Sequence, residues 1–198
     1  TAVGANGTVE YSKGSDLVAD SLLETKLNGT MGFVIPGMPV KKVHDRKPEV
    51  LLKEALDLAQ NSDVVIAALG ENSNMNGEGA SRSIPDIPEP QAKLLRSLVA
   101  TGKPVVLVIF TGRPLILSWE DANVPAILNA WFPGSEAGTS IAGILFGDVN
   151  PSGKLTTTFP RNAGQIPLYY NHKNTGRPYG EDQAYSRFRS NYIDVVNS

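Results

Sequence analysis

A chain of 198 residues with 41% hydrophobic content is long enough to bury one core and short for two, so one domain, or one domain with a tail, is expected. Lys and Arg number 18 against 20 Asp and Glu, a net charge of −2 with no long run of like charge, which gives no basis for nucleic acid or an anionic membrane as partner. Cysteine is absent, the two histidines His44 and His172 are far apart, and no apolar run approaches the roughly 18 to 20 residues that span a bilayer, so disulfides, a thiolate or histidine-rich metal centre and a membrane span are not expected.

Thr8 to Tyr11 is short and β-prone and reads as a first strand. Asn6-Gly7-Thr8 and Asn28-Gly29-Thr30 fit the glycosylation sequon, but Asn-Gly is equally the commonest tight-turn pair, and turns are the preferred reading. Glycines and prolines among apolar residues make Gly29 to Val40 a surface loop. Pro48 to Gln60 is predicted as a helix, with Leu51, Leu52, Ala55, Leu56 and Ala59 at helical spacing and Pro48 in the first turn. Val64 to Leu69 follows as a continuous apolar run without alternation, predicted as a strand buried on both faces of a parallel sheet.

That strand stops at Gly70 and opens into a Gly- and Asn-rich loop carrying two carboxylates, Glu71 and Glu78, and an arginine, Arg82. In open α/β sheets ligands bind at the carboxyl edge of the strands, so this loop is the first place to look for chemistry. Glu78 lies between Gly77 and Gly79, which let the backbone turn sharply and leave the side chain uncrowded, and is the leading candidate for a working acid. A helix then runs from Pro88 or Glu89 to Val99 or Ala100, with Leu94, Leu95, Leu98 and Val99 as its buried stripe and Gly102 as its stop. Val105 to Phe110 is a second apolar strand, Val124 to Trp131 a third, and Gly134 to Phe146 a further helix.

Strands alternating with helices predict a three-layer α/β/α sandwich with a mostly parallel sheet over residues 1–161. From Asn162 the periodicity dissolves, and residues 162–198 read as an extended tail anchored by Tyr169, Tyr170, Tyr179, Tyr185, Phe188 and Tyr192.

Four motifs in order carry a family resemblance. They are the strand with Gly-Glu and the Glu-Gly loop, Gly112-Arg113-Pro114, the run Trp131 to Gly138 (WFPGSEAG), and the run Leu145 to Leu155 (LFGDVNPSGKL). Together they resemble the second domain of family 3 glycoside hydrolases, the β-glucosidase and β-xylosidase family, and Tyr169 to Pro178 is most similar to its bacterial periplasmic β-glucosidases. The resemblance implies an exo-acting, retaining β-glycosidase without cofactor, periplasmic or secreted, in which a barrel ahead of this domain carries the aspartate nucleophile. On that reading the chain is a fragment that begins after the strand opening the second domain, and alone it is expected to be inactive. Glu78 would be the acid and base, acting on a glycoside held against the barrel. Because its cover would be another domain, the surface from Glu71 to Arg82 is expected to be mobile or held by lattice contacts.

Competing readings stand beside these. Glu71 is the rival carboxylate and a sugar-binding candidate, though a structural role bonded to loop backbone or to Arg82 is preferred; Arg82 would pair with either Glu or contact sugar hydroxyls. Trp119 and Trp131 would stack on sugars or belong to packing, and Trp131, adjoining an apolar strand, is read as packing. Neither Gly77-Glu78-Gly79 nor Gly102-Lys103-Pro104 completes a nucleotide-binding motif. The alternative of a different class is a non-catalytic sandwich that binds carbohydrate or protein.

Overall fold

The computed structural model describes residues 3–4, 7–29, 44–171, 173, 176–177, 187–190 and 192–195. The first ordered element is α1 (Ser21–Leu27), capped by Asp20, whose carboxylate accepts the backbone N–H groups of Leu22 and Leu23. Asn28 closes this helix through its own N–H, which agrees with the turn reading of Asn28-Gly29. Asn6 and residues 30–43, most of the predicted surface loop, lie outside the described residues.

Helix α2 (Pro48–Gln60) starts on proline and buries Leu51, Ala55 and Ala59, one residue per turn. It feeds β1 (Val65–Gly70). Helix α3 (Glu89–Val99) buries Gln91, Leu94, Leu95 and Leu98, and leads into β2 (Val105–Phe110). Then come α4 (Ser118–Asn123), β3 (Ala126–Asn129) and α5 (Ala137–Leu145). The three strands form one wholly parallel sheet in the order β1-β2-β3, with Val65 opposite Val105 and Gly70 opposite Phe110.

One face of the sheet is the core. Ala67, Leu69, Val105, Leu107 and Ile109 pack with Ala55, Ala59, Leu94, Leu95 and Leu98 of α2 and α3, closed off by Ile87, Leu115 and Val124. The other face is less covered, which corrects the expectation of a first strand buried on both sides. Along β1 the residues alternate, and Ile66 is 45% exposed while Ala67 is buried. The reason is position: among the described residues β1 is an edge strand, whereas the central β2 buries Val108 as well as Leu107 and Ile109.

Other differences are local. Thr8 to Tyr11 forms no strand, and the third strand is shorter than the apolar run that announced it. It ends before Trp131, which turns into a positive φ of 52°, a conformation that no continuing strand tolerates. The polar stretch Ser118–Asn123, which shows no helical stripe in sequence, is α4. In the tail the Tyr192 hydroxyl donates to the Gly164 carbonyl at 3.3 Å. Tyr170 is 91% exposed and Phe188 81%, while Tyr179 and Tyr185 lie outside the described residues. The buried group is Gln165, whose side-chain carbonyl accepts the N–H groups of Arg161 and Asn162, while the Ser118 hydroxyl donates to the Arg161 carbonyl.

Candidate functional site

The loop after β1 begins at a point fixed from both sides. The Glu71 N–H donates to the Phe110 carbonyl at 2.8 Å, extending the ladder one step. The buried Gln91 amide then caps the outer edge, accepting the Gly70 N–H at 2.7 Å and donating to the Gly70 carbonyl at 2.9 Å. Gly70 has φ 133°, and a Cβ there would stand 2.0 Å from the Phe110 carbonyl oxygen, so only glycine lets the chain leave the sheet here.

Register places Glu71 beside Thr111, and the Glu71 side chain turns inward, with 0% of it exposed. Both carboxylate oxygens are committed. Oε1 accepts from Arg82 Nη1 at 2.8 Å and lies 3.3 Å from Arg113 Nε, while Oε2 accepts from Asn76 Nδ2 at 2.7 Å and from the Thr111 hydroxyl at 2.8 Å. Arg82 also donates to the Asp86 carbonyl at 2.9 Å and meets its carboxylate at 3.4 Å. Arg113 reaches further along the loop, from Nε to Asn76 Oδ1 at 2.9 Å, and from Nη2 to the carbonyls of Met75 and, at 2.7 Å, Ala80.

Glu71 is therefore the hub of a loop tied by its own hydrogen bonds, which corrects the expectation of a loose one. Each carboxylate oxygen has two partners, and Arg82 Nη1 is shared between Glu71 and the Asp86 carbonyl. Arg113, Asn76 and Thr111 are the members that sequence reading missed. Their signal was the pair of equal apolar strands: ending them side by side puts the residues after Gly70 against those after Phe110.

Glu78 has the opposite environment. It stands exposed on a turn closed by the Ala80 N–H donating to the Gly77 carbonyl at 3.2 Å, with Gly79 at φ 72°, the positive value this kind of turn needs. Among the described residues no side chain pairs with it. A cavity of about 330 Å³ at the same sheet edge is lined by Lys13, Asp16, Glu24, Glu71 and Gln91, among others, and not by Glu78.

Burial pushes the Glu71 carboxyl upward, but the hydrogen bonds from Arg82, Asn76 and Thr111 and the charge of Arg113 outweigh it, and the group is held below its ordinary value of 4.5. A carboxylate lowered on folding contributes stability that is complete above about pH 4.5 and is lost as pH falls through the folded value. Glu120 is the counter-case, pushed up by burial beside Asp86 although its own N–H and Arg96 oppose the shift. The unfolding free-energy gap between wild type and Glu71→Gln should thus narrow as pH falls below about 4.5, because the unfolded chain takes up its proton there before the native carboxylate does. A gap constant over that range would place the hub's charge outside the stability of the fold.

The other sequence candidates are engaged in packing. The Arg96 guanidinium lies 5.3 Å over the Trp119 ring, and Trp131 meets Phe159 at 6.0 Å between ring centres. His44 donates from Nε2 to Asp16 at 2.7 Å and accepts the Arg46 N–H on Nδ1, so both ring nitrogens are used; His172 lies outside the described residues.

Residues 5–189 match the model of the glycosyl hydrolase family 3 C-terminal domain. The chain belongs to that family. Among curated relatives of this family 3 domain, the periplasmic β-glucosidase of Salmonella typhimurium is 43% identical over 196 residues, which cover 99% of this chain and 25% of the relative. A β-xylosidase of Formosa agariphila is 44% identical over 59% of this chain and 16% of its own length. The crystal structure of the β-glucosidase from Listeria innocua in complex with gluconolactone superposes with a TM-score of 0.72 at 42% identity, covering 77% of this chain and 21% of that one. The family 3 domain thus spans about a quarter of the first of these relatives.

Proposed function

We propose that this domain supplies Glu78 as the general acid and base of a retaining, exo-acting β-glycosidase, of β-glucosidase or β-xylosidase type, completed by a nucleophile-bearing barrel elsewhere in a longer polypeptide. The observation that carries this reading is the contrast between the two carboxylates of one loop. Glu71 is buried, charged and fully bonded, while Glu78 is presented to solvent at the tip of a fixed turn on the sheet's carboxyl edge.

Retaining hydrolysis needs two carboxyl groups about 5 to 5.5 Å apart, one ionised as nucleophile and one protonated toward the leaving oxygen. Glu71 is a poor proton donor in that pair, since its surroundings keep it ionised. Glu78 meets the requirement once a second domain closes over it, because exclusion of water and a neighbouring carboxylate both raise an acid's pKa. The substrate is a glycoside with a terminal β-linked sugar, glucose or xylose. Carboxylates alone run this chemistry, so no cofactor takes part. The resemblance to a relative named periplasmic supports a location outside the cytoplasm, and among the described residues no helix is long and apolar enough to cross a membrane.

The reading is tested with the 198-residue chain beside the longer polypeptide. The chain purified alone should turn over an aryl β-glucoside no faster than its Glu78→Ala variant, and the longer polypeptide should release the β-anomer first by NMR. Glu78-dependent turnover by the isolated chain, or first release of the α-anomer, would overturn it.

A further inference from the structure

We infer that Arg113 is a positioning residue for the proton donor, acting by clamping both stems of the turn that carries Glu78; this rests on the reading of Glu78 given above. The need for a clamp comes from the turn itself. Gly77 and Gly79, at φ 97° and 72°, let Glu78 stand clear of its neighbours, but glycines leave a backbone many other choices. Within the turn the only closure is the bond from the Ala80 N–H to the Gly77 carbonyl, at 3.2 Å.

Arg113 supplies the restraint from outside. Its single guanidinium donates to the Met75 carbonyl and to Asn76 Oδ1 on the incoming stem, and to the Ala80 carbonyl on the outgoing one. The group is planar with donors in a fixed fork, so bonds to both stems fix their separation and tilt together. Arg113 is itself seated, because it follows β2, with its N–H on the Thr111 hydroxyl and its Nε facing Glu71. A lysine would keep the charge and lose the fork.

The clamp serves both steps of the acid and base, and its effect is read on the first. In glycosylation the proton on Glu78 passes to the glycosidic oxygen as the bond from the anomeric carbon to that oxygen breaks and the bond from that carbon to the nucleophile carboxylate forms. Misplacing the donor therefore slows substrates whose leaving group must be protonated and spares those whose leaving group departs as an anion. A role confined to stability would lower the amount of working enzyme for every substrate alike.

The test uses the longer polypeptide with Arg113→Lys and, as a second variant, Arg113→Ala. kcat/KM, which reports the glycosylation step, is measured for phenyl and dinitrophenyl glycosides on the same preparation, so that their ratio does not depend on the folded fraction. For Arg113→Lys the phenyl substrate is expected to slow by about 100-fold, the scale of an ångström-sized misplacement, while the dinitrophenyl substrate stays within a few fold of wild type. Equal losses on both substrates, or wild-type ratios in both variants, overturn the clamp whenever Glu78→Ala does show leaving-group dependence. Absence of that dependence in Glu78→Ala overturns the Glu78 reading, and this inference with it.

Discussion

Glu78→Ala in the longer polypeptide should slow hydrolysis of glycosides with poor leaving groups by a factor on the order of 100 to 10,000, the usual worth of a positioned proton donor. The exposed carboxylate at the turn, unpaired among the described residues, predicts more than a loss. A dinitrophenyl glycoside leaves without protonation, so its first step should survive, and the covalent intermediate should accumulate because water no longer meets a base. Azide needs no base. Added azide should restore turnover and give the β-glycosyl azide, the product of two inversions at the anomeric carbon. The measurement is pre-steady-state release of dinitrophenol with product NMR. If Glu71→Ala showed that rescue and Glu78→Ala behaved like wild type, the two carboxylates would have exchanged roles.

The exchange is physically disfavoured by what surrounds them, and little of that surrounding is local in sequence. Apolar runs announce β1 and β2 because a strand lined by a core must be apolar, and the helical stripes of α2 and α3 announce themselves for the same reason. Gly70 marks the end of β1, and glycines on both sides of Glu78 mark a turn. What such patterns do not carry is which strand lies at an edge. Ile66 looks like a core residue in sequence and is half exposed because, among the described residues, no strand pairs beyond β1. They also do not carry the partner of a charge. Arg113 is 37 residues from Asn76 and 33 from Ala80, and only the register between β1 and β2 brings it over the loop. The tail shows the same limit. Its buried Gln165 takes its place through backbone N–H groups close by in the chain, which no hydrophobic pattern reports.

Glu71→Ala should cost about 3 to 5 kcal/mol, the range found when one partner of a buried ion pair is removed. The site explains why the upper part of that range applies. Two guanidiniums converge on this carboxylate, Arg82 at 2.8 Å and Arg113 at 3.3 Å, and with the carboxylate gone their counter-charge among the described residues is the partly exposed Asp86. Asn76 Nδ2 loses its acceptor in the same change, and the Thr111 hydroxyl is left with the Arg113 carbonyl. Glu71→Gln keeps the shape and one oxygen acceptor while removing the charge, so it should fall between wild type and alanine. Against a typical domain stability of about 5 to 15 kcal/mol and a urea slope of about 1 to 3 kcal/mol per molar, the alanine variant should move the unfolding midpoint by at least about 1 M. A shift within about 0.5 kcal/mol of wild type, the ordinary size for a surface substitution, would mean that the arginines find solvent readily and that Glu71 does not hold the loop. The catalytic consequence separates the two carboxylates once more. In folded Glu71→Ala enzyme, with the loop released, the donor is misplaced rather than absent, so poor leaving groups should be slowed less than in Glu78→Ala, and dinitrophenyl glycosides should keep their first step in both.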